Sequence, residues 1–443
     1  MTLAIARPIV QRLNHPTLHK LPNGLTIIAE QMPVNAISLD IWARVGSAIE
    51  PDPINGMAHF LEHMVFKGTD RLQAGEFERR VEERGAVMNA ATSQDYTHFY
   101  LTCAPHDFAE LAPLQLDLVL DPKIPDDDFQ SERHVVLEEI RRAEDNPQRR
   151  VYSHMIESAF EHLPYRRPVL GPCEVIEHLT PEQMREFYQR WYVPQNLTVV
   201  VVGNLPLEEM IEVISQNIPT AFIDRVAEQP PVSPALHTLP WEQIAPEPAF
   251  NQVQTHEFTD PTLQQTRMML TWRVPGLQHL QDTYPLDVLS SILSHGRTSR
   301  LVKDLREEQS LVTSISAGNT DYWIQGIFTV SARLKEENLE EVKAAILEHI
   351  RRLQAEPIRE AEIQRVRTQV ANRFVFGNER PSDRTSLYGY YQTLVGELEP
   401  AFHYPDIIRS VTAEDVQEAA LRYLPMDAYS LVIIRPEAFG ASL

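Results

Sequence analysis

Two long segments of this chain repeat each other, which limits it to folds built from two like units. "LTPEQMREFYQRWYVPQNLTVVVVG" from Leu179 is echoed by "VTAEDVQEAALRYLPMDAYSLVIIR" from Val411, an offset of 232 residues. Each copy reads as a capped amphipathic helix that runs through a proline turn into an apolar strand. A second echo, at an offset of 234, pairs "IPDDDFQSERHVVLEEI" from Ile124 with "IREAEIQRVRTQVANRF" from Ile358. Between the copies, six prolines from Pro230 to Pro248 exclude a continuous helix or central strand and read as a semi-rigid linker. The expected division is an N-terminal domain over 1–223, a proline-rich linker over 224–252 and a C-terminal homologous domain over 253–443.

Within the first copy, "LPNGLTIIAEQ" reads as a turn at Asn23-Gly24 feeding a strand. "ISLDIWARVGS" alternates Ile37, Leu39, Ile41, Ala43 and Val45 on one face, and "MNAATSQDYTHFYLT" over Met88 to Thr102 reads as a further strand. The second copy repeats strand ("RMMLTWRV"), helix ("YPLDVLSSILSH") and strand ("GIFTVSARL"). The fold class is α+β: two homologous α/β-roll halves, each a mostly antiparallel sheet with helices on one face.

With 62 acidic against 40 basic residues the net charge is −22, which opposes nucleic-acid binding and favours cationic partners. The longest apolar runs, such as "LTVVVVG" at Leu197 to Gly203, fall far short of the roughly 20 residues that cross a bilayer, so no membrane association is expected. Arg7, Pro8 and Arg12 interrupt the N-terminal apolar residues and no small-residue cleavage pattern follows, so the expectation is a cytoplasmic protein. Cys103 and Cys173, the two cysteines, lack the spacing of a thiolate metal site or a disulfide framework.

The chemistry concentrates in "HFLEHMVFKGT", His59 to Thr69. On a helix, positions i and i+4 share a face, so His59 and His63 can face one ion with Glu62 beside them, in the inverted His-x-x-Glu-His spacing. Two imidazoles fill half of a tetrahedral zinc shell, and a catalytic site needs a third protein ligand. Glu139, on the helix that contains "SERHVVLEEIRRAED", is the chosen candidate over Glu138, which is rotated by about 100°. Glu132, two turns earlier on the Glu139 face, would accept from a metal-bound histidine and fix its tautomer. An isolated five-residue match can equally be a helix with solvated histidines. Burying these polar groups in the apolar stretch "NGMAHFLEHMVF" is costly without a cation.

"GMAHFLEHMVFKGT", "GAVMNAATSQDYTHFY", "SERHVVLEEIRRAEDNP" and "HGRTSRLVKDLREEQSLV" resemble, in order and spacing, the pitrilysin and insulysin metallopeptidases, whose shorter members include the mitochondrial processing peptidase. The 76 residues between His63 and Glu139 agree with that family's third ligand. The resemblance implies a Zn2+ endopeptidase of short or unfolded peptides, with His59, His63 and Glu139 as metal ligands, Glu62 as catalytic base and Glu132 as supporting acid. It also implies that the strand carrying Asn89 and Ala90 pairs with the substrate backbone. In that family an arginine and a tyrosine seven residues later, on the inactive half, hold the substrate carbonyl. Arg306 is present here, but Thr313 replaces the tyrosine. A dimer is expected, and a sister subunit carrying the intact Arg/Tyr pair would make it a heterodimer. The competing readings are a non-catalytic scaffold subunit of the same fold and a structural zinc protein. The scaffold has no need of the full His59, Glu62, His63 and Glu139 set, and structural zinc sites usually close with four ligands.

Overall fold

Asn23 and Gly24 reverse the chain: Gly24 takes φ +99°, and the Asn23 side chain accepts a bond from the Leu25 amide at 3.1 Å. This turn joins β1 (Thr17–Lys20) to β2 (Thr26–Gln31). The computed structural model describes residues 15–228 and 244–437. β3 (Ile37–Ala43) is followed by helices α1 (Met57–Val65) and α2 (Glu76–Glu83), then β4 (Val87–Thr92) and β5 (Thr97–Cys103). Helices α3 (Phe108–Leu120), α4 (Asp126–Glu144) and α5 (Pro147–Ala159) precede β6 (Leu197–Gly203). The first sheet runs in the order β1-β2-β6-β3-β5-β4, and its one parallel pair is β2 with β6.

The second sheet is built from β7 (Gln254–Thr259), β8 (Thr266–Pro275), β9 (Val312–Thr320), β10 (Gln325–Leu334) and β11 (Ser430–Arg435). Its order, β7-β11-β8-β10-β9, repeats β2-β6-β3-β5-β4, including one parallel pair at the corresponding place. The duplication read from the sequence is therefore a duplication of topology. It extends to single residues: Thr180 and Thr412, 232 positions apart, both close capping boxes at the starts of helices Pro181–Trp191 and Ala413–Tyr423.

Four expectations change. Met88 to Thr102 is not one strand but the β4–β5 hairpin, closed by a bond from the Ser93 amide to the Tyr96 carbonyl at 2.8 Å. The proposed boundary at residue 223 falls inside a helix, Thr220–Glu228, because Phe222 is fully buried and Arg225 lies 4.6 Å from the Tyr188 ring centroid. Most of the proline-rich linker lies outside the described residues, and its far end is anchored, not a free spacer. There Glu247 is buried, accepts from the amides of Glu161, His162 and Leu163, and pairs with Arg273 at 2.6 Å.

The fourth change concerns the faces of the first sheet. All seven residues of β3 are buried, since helices cover both sides. Ile37, Leu39 and Ile41 face the core shared with α1, α3 and α4, whereas Trp42 joins Ile28, Val200 and Val202 beneath Tyr388. Tyr388 belongs to helix Pro381–Tyr390 of the second half, which reaches across the molecule, and its hydroxyl donates to buried Glu30 at 2.8 Å. A Cβ on Gly389 of that helix would lie 2.1 Å from Trp42 Nε1. Gly389→Ala, which ordinarily favours a helix by about 1 kcal/mol, should here destabilise the protein by about 1–3 kcal/mol through overpacking. Thermal unfolding checks this, and a raised Tm would contradict it. Among the described residues no helix is long and apolar enough to cross a membrane.

Candidate metal centre and active site

Helix α1 is positioned by its apolar residues and by an acid at its start. Met57, Ala58, Phe60, Leu61, Met64 and Val65 are buried, and the Phe60 ring stacks on Phe129 of α4 with centroids 4.5 Å apart. Gly56 precedes the helix at φ +97°, where a Cβ would lie 2.6 Å from Ile176 and from the Leu170 carbonyl oxygen. The free amides of the first turn are met by Glu50, whose two carboxylate oxygens accept from Gly56 and Ala58, each at 2.7 Å. Burial pushes the Glu50 carboxyl up to about 7, with the bonds from Ala58, Asn55 and Gly56 opposing it. Sequence reading missed Glu50, since a cap six to eight residues upstream leaves no local motif.

Docking of α1 on α4 brings the separated residues together. Nε2 of His59 and Nε2 of His63 lie 3.6 and 3.4 Å from the same Glu139 oxygen, Oε2. The ligand atoms of His59, His63 and Glu139 all fall within 4.8 Å of one another. A tetrahedral ion with ligands at about 2.1 Å spaces them about 3.4 Å apart, close to the two histidine–Glu139 separations, and two imidazoles with a carboxylate are ligand types that suit zinc. On its other side, His63 Nδ1 meets Glu132 Oε1 at 2.9 Å, and Lys67 Nζ holds the second Glu132 oxygen at 2.5 Å. With Nδ1–H donating to Glu132, the His63 Nε2 lone pair faces the Glu139 carboxylate, an arrangement that calls for a cation or a proton between them. His59 Nδ1 is buried and has no hydrogen-bond partner among the described residues.

Without metal, the two histidines diverge. Burial and then the neighbouring His63 push His59 down to about 4. Burial opposes the charge on His63 too, but its bonds to the Glu132 and Glu139 carboxylates outweigh that and raise the group to about 9. The hydrogen bond from His63 lowers the Glu139 pKa. Glu138, one position away, is mostly exposed and lies 3.7 Å from Arg141.

Glu62 stands outside the triad. Its Oε2 accepts from the Thr92 hydroxyl at 2.5 Å, which ties α1 to the end of β4. Burial raises the Glu62 carboxyl above the usual carboxylate value, and the Thr92 bond offsets part of the rise. Thr92 is a second residue that the sequence did not single out. β4 is the sheet edge beside this site, with Asn89 and Ala90 at its centre. Ala90 packs towards the core, while the Asn89 side chain turns back to accept from the Ala90 amide at 3.0 Å. Arg306 and Thr313 are not brought to the triad of their own chain: Arg306 pairs with Glu307 at 2.7 Å, and the Thr313 hydroxyl lies 2.8 Å from Gln265 Oε1.

The insulinase model of peptidase family M16 matches residues 26–173, and the model of the peptidase M16 inactive domain matches residues 178–370. The chain belongs to the M16 peptidase family. A Rickettsia bellii protein named a zinc protease is 28% identical to this M16 chain over 94% of it and 96% of the relative. A probable mitochondrial-processing peptidase subunit beta of Arabidopsis thaliana is 25% identical over 95% of the chain and 80% of that protein. The structure of a protease from Helicobacter pylori shares the fold, with a TM-score of 0.85 at 24% identity, covering 95% of this chain and 99% of that one. Among the described residues the second half of this M16 chain carries no equivalent triad: at the offset of 234, Val366 and Arg373 stand where the first half has Glu132 and Glu139. Arg373 approaches His295 there, and Val366 is buried.

Proposed function

We propose that this M16 chain is a zinc-dependent endopeptidase that hydrolyses short or unfolded peptides. The observation that carries this reading is a triad of donor atoms within 4.8 Å of one another, with both histidine nitrogens 3.4–3.6 Å from one Glu139 oxygen, together with a fourth group, Glu62, that is held nearby and left out of the triad. Zinc, when bound, supplies Lewis acidity that acidifies water and polarises a peptide carbonyl. Glu62 is the base that takes the proton from the attacking water and delivers it to the leaving amine. Glu132 orients His63 and, with Lys67, keeps its own negative charge in place. The exposed β4 edge accepts an extended peptide as an added strand, with Asn89 releasing the Ala90 amide to the substrate backbone. A scaffold role leaves the complete set of His59, Glu62, His63 and Glu139 without a purpose. The deciding experiment is peptide hydrolysis by the purified chain, abolished by a chelator and restored by zinc; metal-independent hydrolysis or zinc-loaded inactivity towards a diverse peptide library refutes the reading.

The same reading includes a sister subunit. Thr313 is too short to reach across a chamber as a tyrosine would, so a homodimer lacks a donor to the developing oxyanion. The chain alone should be weakly active, and Thr313→Tyr or addition of a subunit with an intact Arg/Tyr pair should raise kcat about tenfold or more. Full activity alone, with no gain from either, would exclude the heterodimer.

A further inference from the structure

Most arginines with a defined partner in this acidic chain sit on carboxylates, as Arg273 does on Glu247 and Arg300 on Glu362 at 2.6 and 2.8 Å. One group does not. Arg267 on β8 and Arg333 on β10 are direct cross-strand neighbours, a placement in which like charges repel. Arg267 is partly buried, its pKa lowered by that burial and by Arg333, and it has no ion-pair or hydrogen-bond partner among the described residues. The Arg333 guanidinium donates to the Thr313 hydroxyl at 3.0 Å and meets no acid among the described residues. Arg142, from the last turns of α4, is likewise without an ion-pair partner among the described residues.

These three arginines line one cleft of about 640 Å³, together with Gln148 and Gln265, and Asp145 is the one acid among its lining residues. The positive N-terminal end of α5 opens on the same cleft through Pro147 and Gln148. Arg142 and Asn146 are shared with a second cleft of about 620 Å³ that contains Glu139 of the triad, so the two clefts adjoin. Arg149 lines this second cleft and, like Arg142, carries no ion pair among the described residues. Along α4, Asn146 lies about 10 Å beyond Glu139, a span that an extended peptide covers in about three residues.

We propose that this arginine cleft is a carboxylate-binding subsite: it takes a carboxylate of the peptide substrate, either the free C-terminal group or an acidic side chain, about two to four residues from the bond that is cut. The planar guanidinium forks suit a carboxylate, and bidentate bonds to one would remove the repulsion between Arg267 and Arg333. The net charge of −22 therefore does not describe this cleft, where three arginines stand against Asp145. The assignment of the carboxylate to a peptide rests on the peptidase reading above.

The experiment uses the full zinc-loaded chain and matched fluorogenic peptides: one with a free C-terminus, the same peptide amidated, and an amidated version with glutamate placed two to four residues from the cleavage site. KM should be about tenfold lower for one of the carboxylate peptides than for the plain amide, and this ratio should fall to about one in Arg267→Gln/Arg333→Gln. Arg333→Lys, which keeps charge but not the fork, should retain part of the ratio and guards against a folding defect. Which peptide shows the effect separates the terminal from the side-chain carboxylate. Equal KM values throughout the wild-type series, or a preference that survives the double substitution, would overturn the subsite. Anisotropy with labelled, matched acid and amide peptides on zinc-loaded Glu62→Gln separates the two claims. Arginine-dependent preference for the acid in binding, without hydrolysis by the parent chain, would leave the subsite standing and remove the peptidase reading.

Discussion

Glu62→Gln should slow peptide hydrolysis by a hundredfold to ten-thousandfold while the protein keeps its full complement of zinc, because on the proposed mechanism the change removes a general base and no ligand. The two outcomes are linked by geometry. The atoms suited to an ion come from His59, His63 and Glu139, whereas Glu62 is turned away to the Thr92 hydroxyl. Glutamine has nearly the same shape and still accepts from Thr92 through its amide oxygen, so α1 and the end of β4 stay joined. It cannot accept a proton from water at neutral pH. Burial raises the Glu62 pKa, which makes the carboxylate a stronger base than an exposed glutamate and enlarges what the substitution removes. Metal content by mass spectrometry and kcat on one peptide substrate decide the matter together. A folded Glu62→Gln protein without zinc would move Glu62 into the ligand set.

Much of this site is legible in the chain, for reasons that are local. Helical periodicity places His59 and His63 on one face, and the same periodicity puts Glu132 and Glu139 two turns apart on one face of α4. The repeated capping helices and apolar strands make the duplicated topology legible as well. What stays hidden depends on distant packing. Glu50 caps α1 from outside the helix, and Thr92 reaches Glu62 only once the hairpin has formed. The break between β4 and β5 is easily missed because the Ser93–Tyr96 turn contains neither glycine nor proline. The helix Pro381–Tyr390 has mixed small, polar and aromatic residues, so nothing in its pattern announces that it covers a sheet in the other half. The arginine cleft is assembled from α4, α5, β8 and β10, and at each of these places a lone arginine reads as an ordinary solvated side chain.

Glu139→Gln should behave in the opposite way to Glu62→Gln, losing zinc affinity by at least about a hundredfold and activity with it, while Glu138→Gln should leave both near the parent values. Removal of a residue that only supports a ligand typically costs 10–100-fold in affinity, so loss of a charged ligand should cost no less. The local electrostatics give the reason. Among the described residues Glu139 Oε2 is the one anionic atom facing both imidazole nitrogens, at 3.6 and 3.4 Å, and an amide oxygen in its place brings a weak dipole instead of a charge. Glu132 cannot replace it, since one of its oxygens is bound to His63 Nδ1 and the other to Lys67. Glu138 faces solvent beside Arg141 and has no part in the triad, which makes it the matched control on the same helix. Competition with a chelator of known affinity measures the three proteins on one scale. If Glu139→Gln holds zinc as tightly as the parent, the third ligand lies elsewhere, and loss of zinc from Glu138→Gln would place it one residue earlier on α4.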